Sequence, residues 1–242
     1  MSNRQASVSI VAVSLMLACA NAAAQESANK ELDACIRKEQ LKTTLKGALA
    51  GGLLGALKAK TDDKKGDTTK SVLVGAAAGG AIGFAYAHFN AVGKCYKKNP
   101  NLVPESKIER GAEFADLKKK LRYDPAQGVL AKTLSVQMPA QAAPGSKVDL
   151  NTSFAVMTPD GAETDVVIER KLFVVADGQE TEIPFPGHSK EDRKFPAGES
   201  VDRAALQLPP DMPAGTVFRY EFSVTAAGRQ ASAASGTTLV KG

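Results

Sequence analysis

The side chains with the most chemistry to offer are three cysteines (Cys19, Cys35, Cys95) and two histidines (His88, His188). A cysteine can serve as a nucleophile, a metal ligand or half of a disulfide. Cys35 and Cys95 have no C-x-x-C partner, no neighbouring histidine pair and no metal-ligand spacing, so bridge formation is the expected use. The histidines are the only side chains that would ordinarily exchange a proton near neutral pH. His188 stands in PFPGHSKEDRKFP beside Ser189, Glu191 and Asp192, which superficially suggests a catalytic triad. Residues adjacent in sequence do not form a triad without a folded pocket, and a charged run between prolines reads as a solvated loop. No catalytic, cofactor-binding or metal-ligating residue is assigned, and the chain is expected not to be an enzyme.

The elements that would bring the two cysteines together are legible around them. Gly47, Gly51 and Gly55 recur every four residues, as do Gly75, Gly79 and Gly83, so each set lies along one face of a helix. Between them runs the polar stretch TDDKKGDTTK, with Gly66 able to supply a turn. One antiparallel register sets all three glycine pairs level and also sets Cys35 level with Cys95. Glycine costs about 1 kcal/mol relative to alanine at a helical site, so six aligned ones imply close packing of two backbones. A disulfide closing a loop of about 60 residues is worth roughly 4 kcal/mol in the chain-entropy account. The expected unit, residues 25–98, is a disulfide-closed helical hairpin.

Residues 1–24 have the form of a secretory signal. Arg4 is followed by a short apolar core and by Ala22-Ala23-Ala24, an A-x-A cleavage site that would leave Gln25 first. The alternative is Leu15-Met16-Leu17-Ala18-Cys19, which resembles a bacterial lipoprotein signal and would put a lipid on Cys19. Either route places the remaining cysteines in an oxidising compartment, consistent with a bridge. The net charge is +5, but residues 25–98 hold 13 Lys and Arg against 7 Asp and Glu, while residues 129–242 hold 11 against 14. The basic excess flanks the glycine-rich arms and suits anionic lipid head groups or another acidic envelope polymer. Nucleic acid is not an expected partner, since no reading motif accompanies the charge.

The segments GALAGGLLGAL and GAAAGGAIGFAYA, joined by a short polar loop, resemble the glycine-zipper two-transmembrane-helix segment of bacterial envelope proteins. The resemblance covers roughly residues 43–93. It implies a structural role in the cell envelope, outer membrane before inner, with Gly47, Gly51, Gly55, Gly75, Gly79 and Gly83 as packing residues. The first arm has only 11 uncharged residues between Lys46 and Lys58, about half of a bilayer's roughly 30 Å apolar thickness. The second arm, residues 71–93, is the better span.

Prolines 100 and 104 end the helical part. Residues 99–128 read as a connector carrying a helix over 105–123, with acids early and Lys118, Lys119, Lys120 and Arg122 late, as the helix dipole favours. From residue 129 the pattern alternates with period two. Strands are predicted over 130–138, 147–157, 164–175, 180–184, 200–208, 216–226 and 230–240, divided by Gly- and Pro-bearing turns. Seven short strands suggest an immunoglobulin-like sandwich over 129–242. LPPDMPAGTVFRYEFSV resembles the E–F corner and F strand of bacterial immunoglobulin-like or fibronectin-like modules.

The expected fold class is therefore α+β and multidomain: a glycine-zipper hairpin, a connector helix and an all-β immunoglobulin-like sandwich. The expected function is that of an exported, envelope-associated interaction protein. Its hairpin would anchor on envelope membrane lipid, and its β unit would bind a periplasmic protein or polymer. The alternative is a homo-oligomeric or pore-forming assembly driven by the glycine faces.

Overall fold

The computed structural model describes residues 30–40, 42, 80–103, 107–176, 178–229 and 232–242. Five of the six zipper glycines (Gly47, Gly51, Gly55, Gly75 and Gly79), together with Cys19 and the signal sequence, lie outside them.

Strands dominate the described residues. Helix α1 covers residues 30–40 and helix α2 covers Ala81–Lys98. Strand β1 (Lys107–Glu113) leads into helix α3 (Phe114–Leu121), and nine further strands follow. These are β2 (Leu130–Gln137), β3 (Gln141–Ala142), β4 (Lys147–Met157), β5 (Thr164–Ala176) and β6 (Gln179–Ile183). The last four are β7 (Lys190–Phe195), β8 (Gly198–Gln207), β9 (Val217–Ala226) and β10 (Ser232–Val240).

Two sheets face each other. Sheet A has the order β1-β8-β4-β2, and sheet B has the order β3-β10-β9-β5-β6, with β7 pairing the first half of β5. Alternation explains the core. Val148, Leu150 and Phe154 of β4 and Leu206 of β8 point inward from sheet A. They meet Val166, Ile168, Leu172 and Val174 of β5 and Phe218, Tyr220, Phe222 and Val224 of β9. Phe154 lies 5.4 Å from Phe195 and 5.5 Å from Phe222 between ring centroids.

Helix α2 belongs to this core. Its Ala85 and Phe89 pack among the inward side chains, and Phe89 meets Phe218 edge-to-face at 6.0 Å. A second face of α2, Ala91, Val92 and Cys95, packs on Leu32 and Ile36 of α1. The Cys35–Cys95 disulfide joins these helices, with Cα atoms 6.0 Å apart.

The expected fold class is thus corrected. The described residues are mostly β, and they do not show a helical hairpin followed by an immunoglobulin-like sandwich. Helix α2 fills the β core instead of forming a separate helical unit. Among the described residues, no helix is long and apolar enough to cross a membrane.

The expected connector helix is corrected too. Its first half is strand β1, because residues 107–110 pair with β8 between Ser200 and Arg203 and satisfy their backbone there. Its second half is α3, whose Leu117, with Tyr123 just beyond, packs on Ala155 and Met157 on the outer side of sheet A. The run read as a solvated charged loop contains β7, an edge strand with only Phe195 buried. The sandwich topology departs from expectation through β1, β7 and the parallel pair β3–β10.

Candidate functional site

The inward row of β5 carries a charge. Val166, Ile168, Leu172 and Val174 are apolar, but Arg170, midway along the same row, is 3% exposed. Asp202 occupies the equivalent inward row of β8, flanked by Ser200 and Ala204, and is 1% exposed. The guanidinium therefore crosses from sheet B to sheet A. Arg170 Nε donates to Asp202 Oδ2 and Nη2 donates to Oδ1, both at 2.8 Å. A buried charge is tolerated only when paired and hydrogen-bonded, and this paired fork meets that condition.

The rest of the guanidinium organises a loop. Arg170 Nη1 donates to the His188 carbonyl at 2.6 Å and lies 2.7 Å from Glu191 Oε1. The Arg170 backbone N–H donates to the Ser189 carbonyl at 2.7 Å. Burial alone would lower the Arg170 pKa, but the hydrogen bond and charge of Asp202 hold it raised. Thr152 and Tyr220, both fully buried, complete the polar layer. Tyr220 Oη lies against Thr152 and Arg170 without reaching hydrogen-bond geometry. Burial first, and then the Asp202 charge, push its pKa up.

These contacts hold open a break in the sheet edge. Strand β6 pairs with β5 from Leu172 onward, and β7 pairs with it up to Glu169. Between them residues 184–189 leave the edge, and a cleft of about 330 Å³ opens there. Its walls are Tyr86 of α2, Ile183, Pro184 and Phe185; Lys171, Glu182 and Ser189 form the polar part, and Arg170 reaches it from below. Tyr86 is the exposed large hydrophobic side chain among the described residues, at 36%. Phe185 is held against Tyr220, with ring centroids 5.9 Å apart.

The histidines have separate places. His188 is exposed and supplies its backbone carbonyl to Arg170. Glu191 faces the guanidinium, so the side chains of 188–192 do not converge as a triad. His88 is 6% exposed under α1, 3.1 Å from Gln40 Nε2 through Nδ1 and edge-on to Phe89. Burial pulls its pKa down to about 4 against a smaller opposing pull from Asp33. Glu39 of α1 is held at about 2 by its hydrogen bonds to Lys98 (2.6 Å) and Lys42 (3.1 Å).

The structure forms the Cys35–Cys95 bridge and buries Gly83 within α2. Tyr86, Arg170, Pro184 and Phe185 had no place among the residues singled out by sequence. The available signal was Arg170 itself, an arginine at an inward position in VVIERKLFVV.

No protein-family model matches the chain, and no curated protein matches it. Matches among solved structures are partial. The sporulation control protein Spo0M from Bacillus subtilis aligns at 15% identity and a TM-score of 0.31, over 46% of this chain and 49% of its own. The match thus spans about half of that protein. A Niemann-Pick type C2 protein from the Japanese carpenter ant aligns at 12% identity and 0.33, over 46% and 93%. A CARDB domain from Pyrococcus furiosus, in complex with di-metal ions, aligns at 9% identity and 0.32, over 47% and 90%. At these scores the matches carry neither a shared topology nor a shared activity. The chain contains a β-rich unit, with a CARDB-type domain among its solved-structure neighbours.

Proposed function

We propose that this chain is an exported, non-enzymatic interaction protein of a bacterial envelope, and that its β-rich unit binds a periplasmic protein through the cleft beside Tyr86. The observation that carries this reading is the break between β6 and β7. There Tyr86, Pro184 and Phe185 offer apolar surface while Arg170, Asp202 and Glu191 are engaged with one another. Buried charges that hold a loop in place, beneath an exposed aromatic, suit recognition by shape and apolar contact. Lys171 and Glu182 place charges of both signs at the polar side, which suits a polypeptide segment presenting one apolar side chain. The disulfide supports export, because such bridges persist in oxidising compartments.

The test is a photo-crosslinking residue placed at position 86 in expressing cells, compared with one at Tyr96 on the same helix. A single adduct to a periplasmic protein from position 86, lost in Phe185→Ala and absent from position 96, is expected. Equal adducts from both positions, or none from position 86, would remove the cleft from the interaction. Trapping of free thiols in the same cells tests export separately: Cys35 and Cys95 should be protected from alkylation until a reductant is added.

A further inference from the structure

Helix α3 is short, and its two sides are unlike. One side is fixed: Leu117 is fully buried and Tyr123 is 4% exposed, both against Ala155 and Met157 of β4. Tyr123 Oη also donates to the Gly128 carbonyl at 2.6 Å. At the helix end, Arg122 turns through the left-handed region (φ 52°), and Arg122 and Tyr123 donate back to the Lys119 and Lys118 carbonyls. The helix therefore has no freedom to roll, and its other side is committed to solvent. Around the helix away from Leu117 stand Lys118, Lys119, Lys120 and Arg122, the last three exposed, together with the exposed Asp116.

Lys132 adds to the same surface. It stands level with Ala155 in the β2–β4 ladder, and directly opposed residues share a face, here the outer face of sheet A beneath α3. None of these five cations makes an ion pair among the described residues. The acids nearest Tyr123 accept hydrogen bonds within local turns. Asp124 accepts from the Ala126 N–H at 2.8 Å, and Asp160 accepts from the Ala162 N–H at 3.1 Å. The acids beside these five cations are Asp116, one turn from Lys119 and Lys120, with Asp124 and Asp160, so the surface keeps a net positive charge on a rigid element.

We infer that the α3 face is a docking surface for anionic lipid headgroups, which would set the β-rich unit against the envelope membrane. The inference rests on the export proposed above, since an exported chain meets its phosphates on a membrane surface rather than on nucleic acid. Clustered lysines and arginines near an anionic surface act through charge, with each residue contributing and salt weakening the whole. No apolar insertion is required, and the surface lies on the opposite side of sheet A from the cleft-bearing sheet B. Membrane contact and partner binding are thus compatible.

The experiment is co-sedimentation of the purified, oxidised chain with phosphatidylcholine vesicles, with and without phosphatidylglycerol. Binding only to the anionic vesicles, lost at high salt, is expected. The variant Lys118→Gln/Lys119→Gln/Lys120→Gln should bind on the order of a hundredfold more weakly. A charge-matched control, Lys190→Gln/Lys194→Gln/Lys241→Gln, should keep most of the affinity. Unfolding midpoints of both variants show that the fold is intact. Equal binding to neutral vesicles, or wild-type affinity in the α3 variant, would overturn the inference. So would equal loss in the two variants, because that reports net charge and not a surface. Binding to a single-stranded oligonucleotide as tight as to the vesicles would make the site a nucleic-acid surface and overturn the lipid assignment. Purified protein and vesicles read the surface whether or not the chain is exported, and thiol trapping in cells reads export alone.

Discussion

Arg170 shows how one side chain can link interior and surface. Its bidentate contact with Asp202 satisfies two donors inside an apolar core, and its other contacts fix the loop that walls the cleft. Asp202→Ala should destabilise the protein by about 3–5 kcal/mol, because it leaves a guanidinium buried without its main counter-ion. Urea unfolding at neutral pH measures this. His88 gives a second handle. Its folded pKa of about 4 lies below the ordinary 6.5, so the unfolded chain binds the proton first. Its contribution is therefore intact above pH 6.5 and is lost as pH falls toward 4, by roughly 3 kcal/mol in total. Glu39, held at about 2 instead of 4.5, contributes above pH 4.5 and loses that contribution between 4.5 and 2. Unfolding midpoints taken across pH 7 to 2 should show two successive losses, and His88→Leu should remove only the first.

At the scale of elements, legibility followed burial. Strands β2, β4, β5, β6, β8, β9 and β10 sit close to where period-two alternation put them, because each has one face in the core and the other outside. Strands β1 and β7 are edge strands with charges on both faces, so KIERGAE and KEDRKF carry no alternation to read. For β1, acids before lysines mimicked a helix, and only pairing with β8, which lies some ninety residues away in sequence, decides otherwise. The cleft was illegible for the same reason. It arises from a break in pairing along β5 and from a helix arriving beside it, neither of which is a local property of sequence. The disulfide was legible, since cysteines without another use in an exported chain have few options. Its removal by Cys35→Ser/Cys95→Ser should cost about 2–4 kcal/mol, read as a shift in denaturant midpoint. The loss should fall on the α1–α2 contact, so hydrogen exchange should rise in residues 30–40 and stay low in β5 and β9.

Across the described residues, two sheets enclose a core that one face of α2 joins, α3 lies on the outer face of sheet A, and α1 is tied to α2. The cleft faces outward from the edge of sheet B, α3 covers part of sheet A, and α2 with its disulfide secures α1. The Arg170–Asp202 contact discriminates among alternative pairings of the strands. Alternation fixes which face of a strand is inward, but it is blind to a slide of two residues, which keeps every apolar side chain inside. Such a slide of β5 would carry the guanidinium away from Asp202 and leave a charge among aromatic rings, a state far too costly to populate. A variant with Arg170→Met, Asp202→Leu and Glu191→Gln should therefore match the wild type in unfolding free energy to within about 2 kcal/mol. Its amide spectrum, however, should show doubled or broadened signals from β5 and its neighbours. In that sense the ion pair is a key cut for a single lock position: it adds little to how firmly the sheets hold, and it decides where along each other they stop.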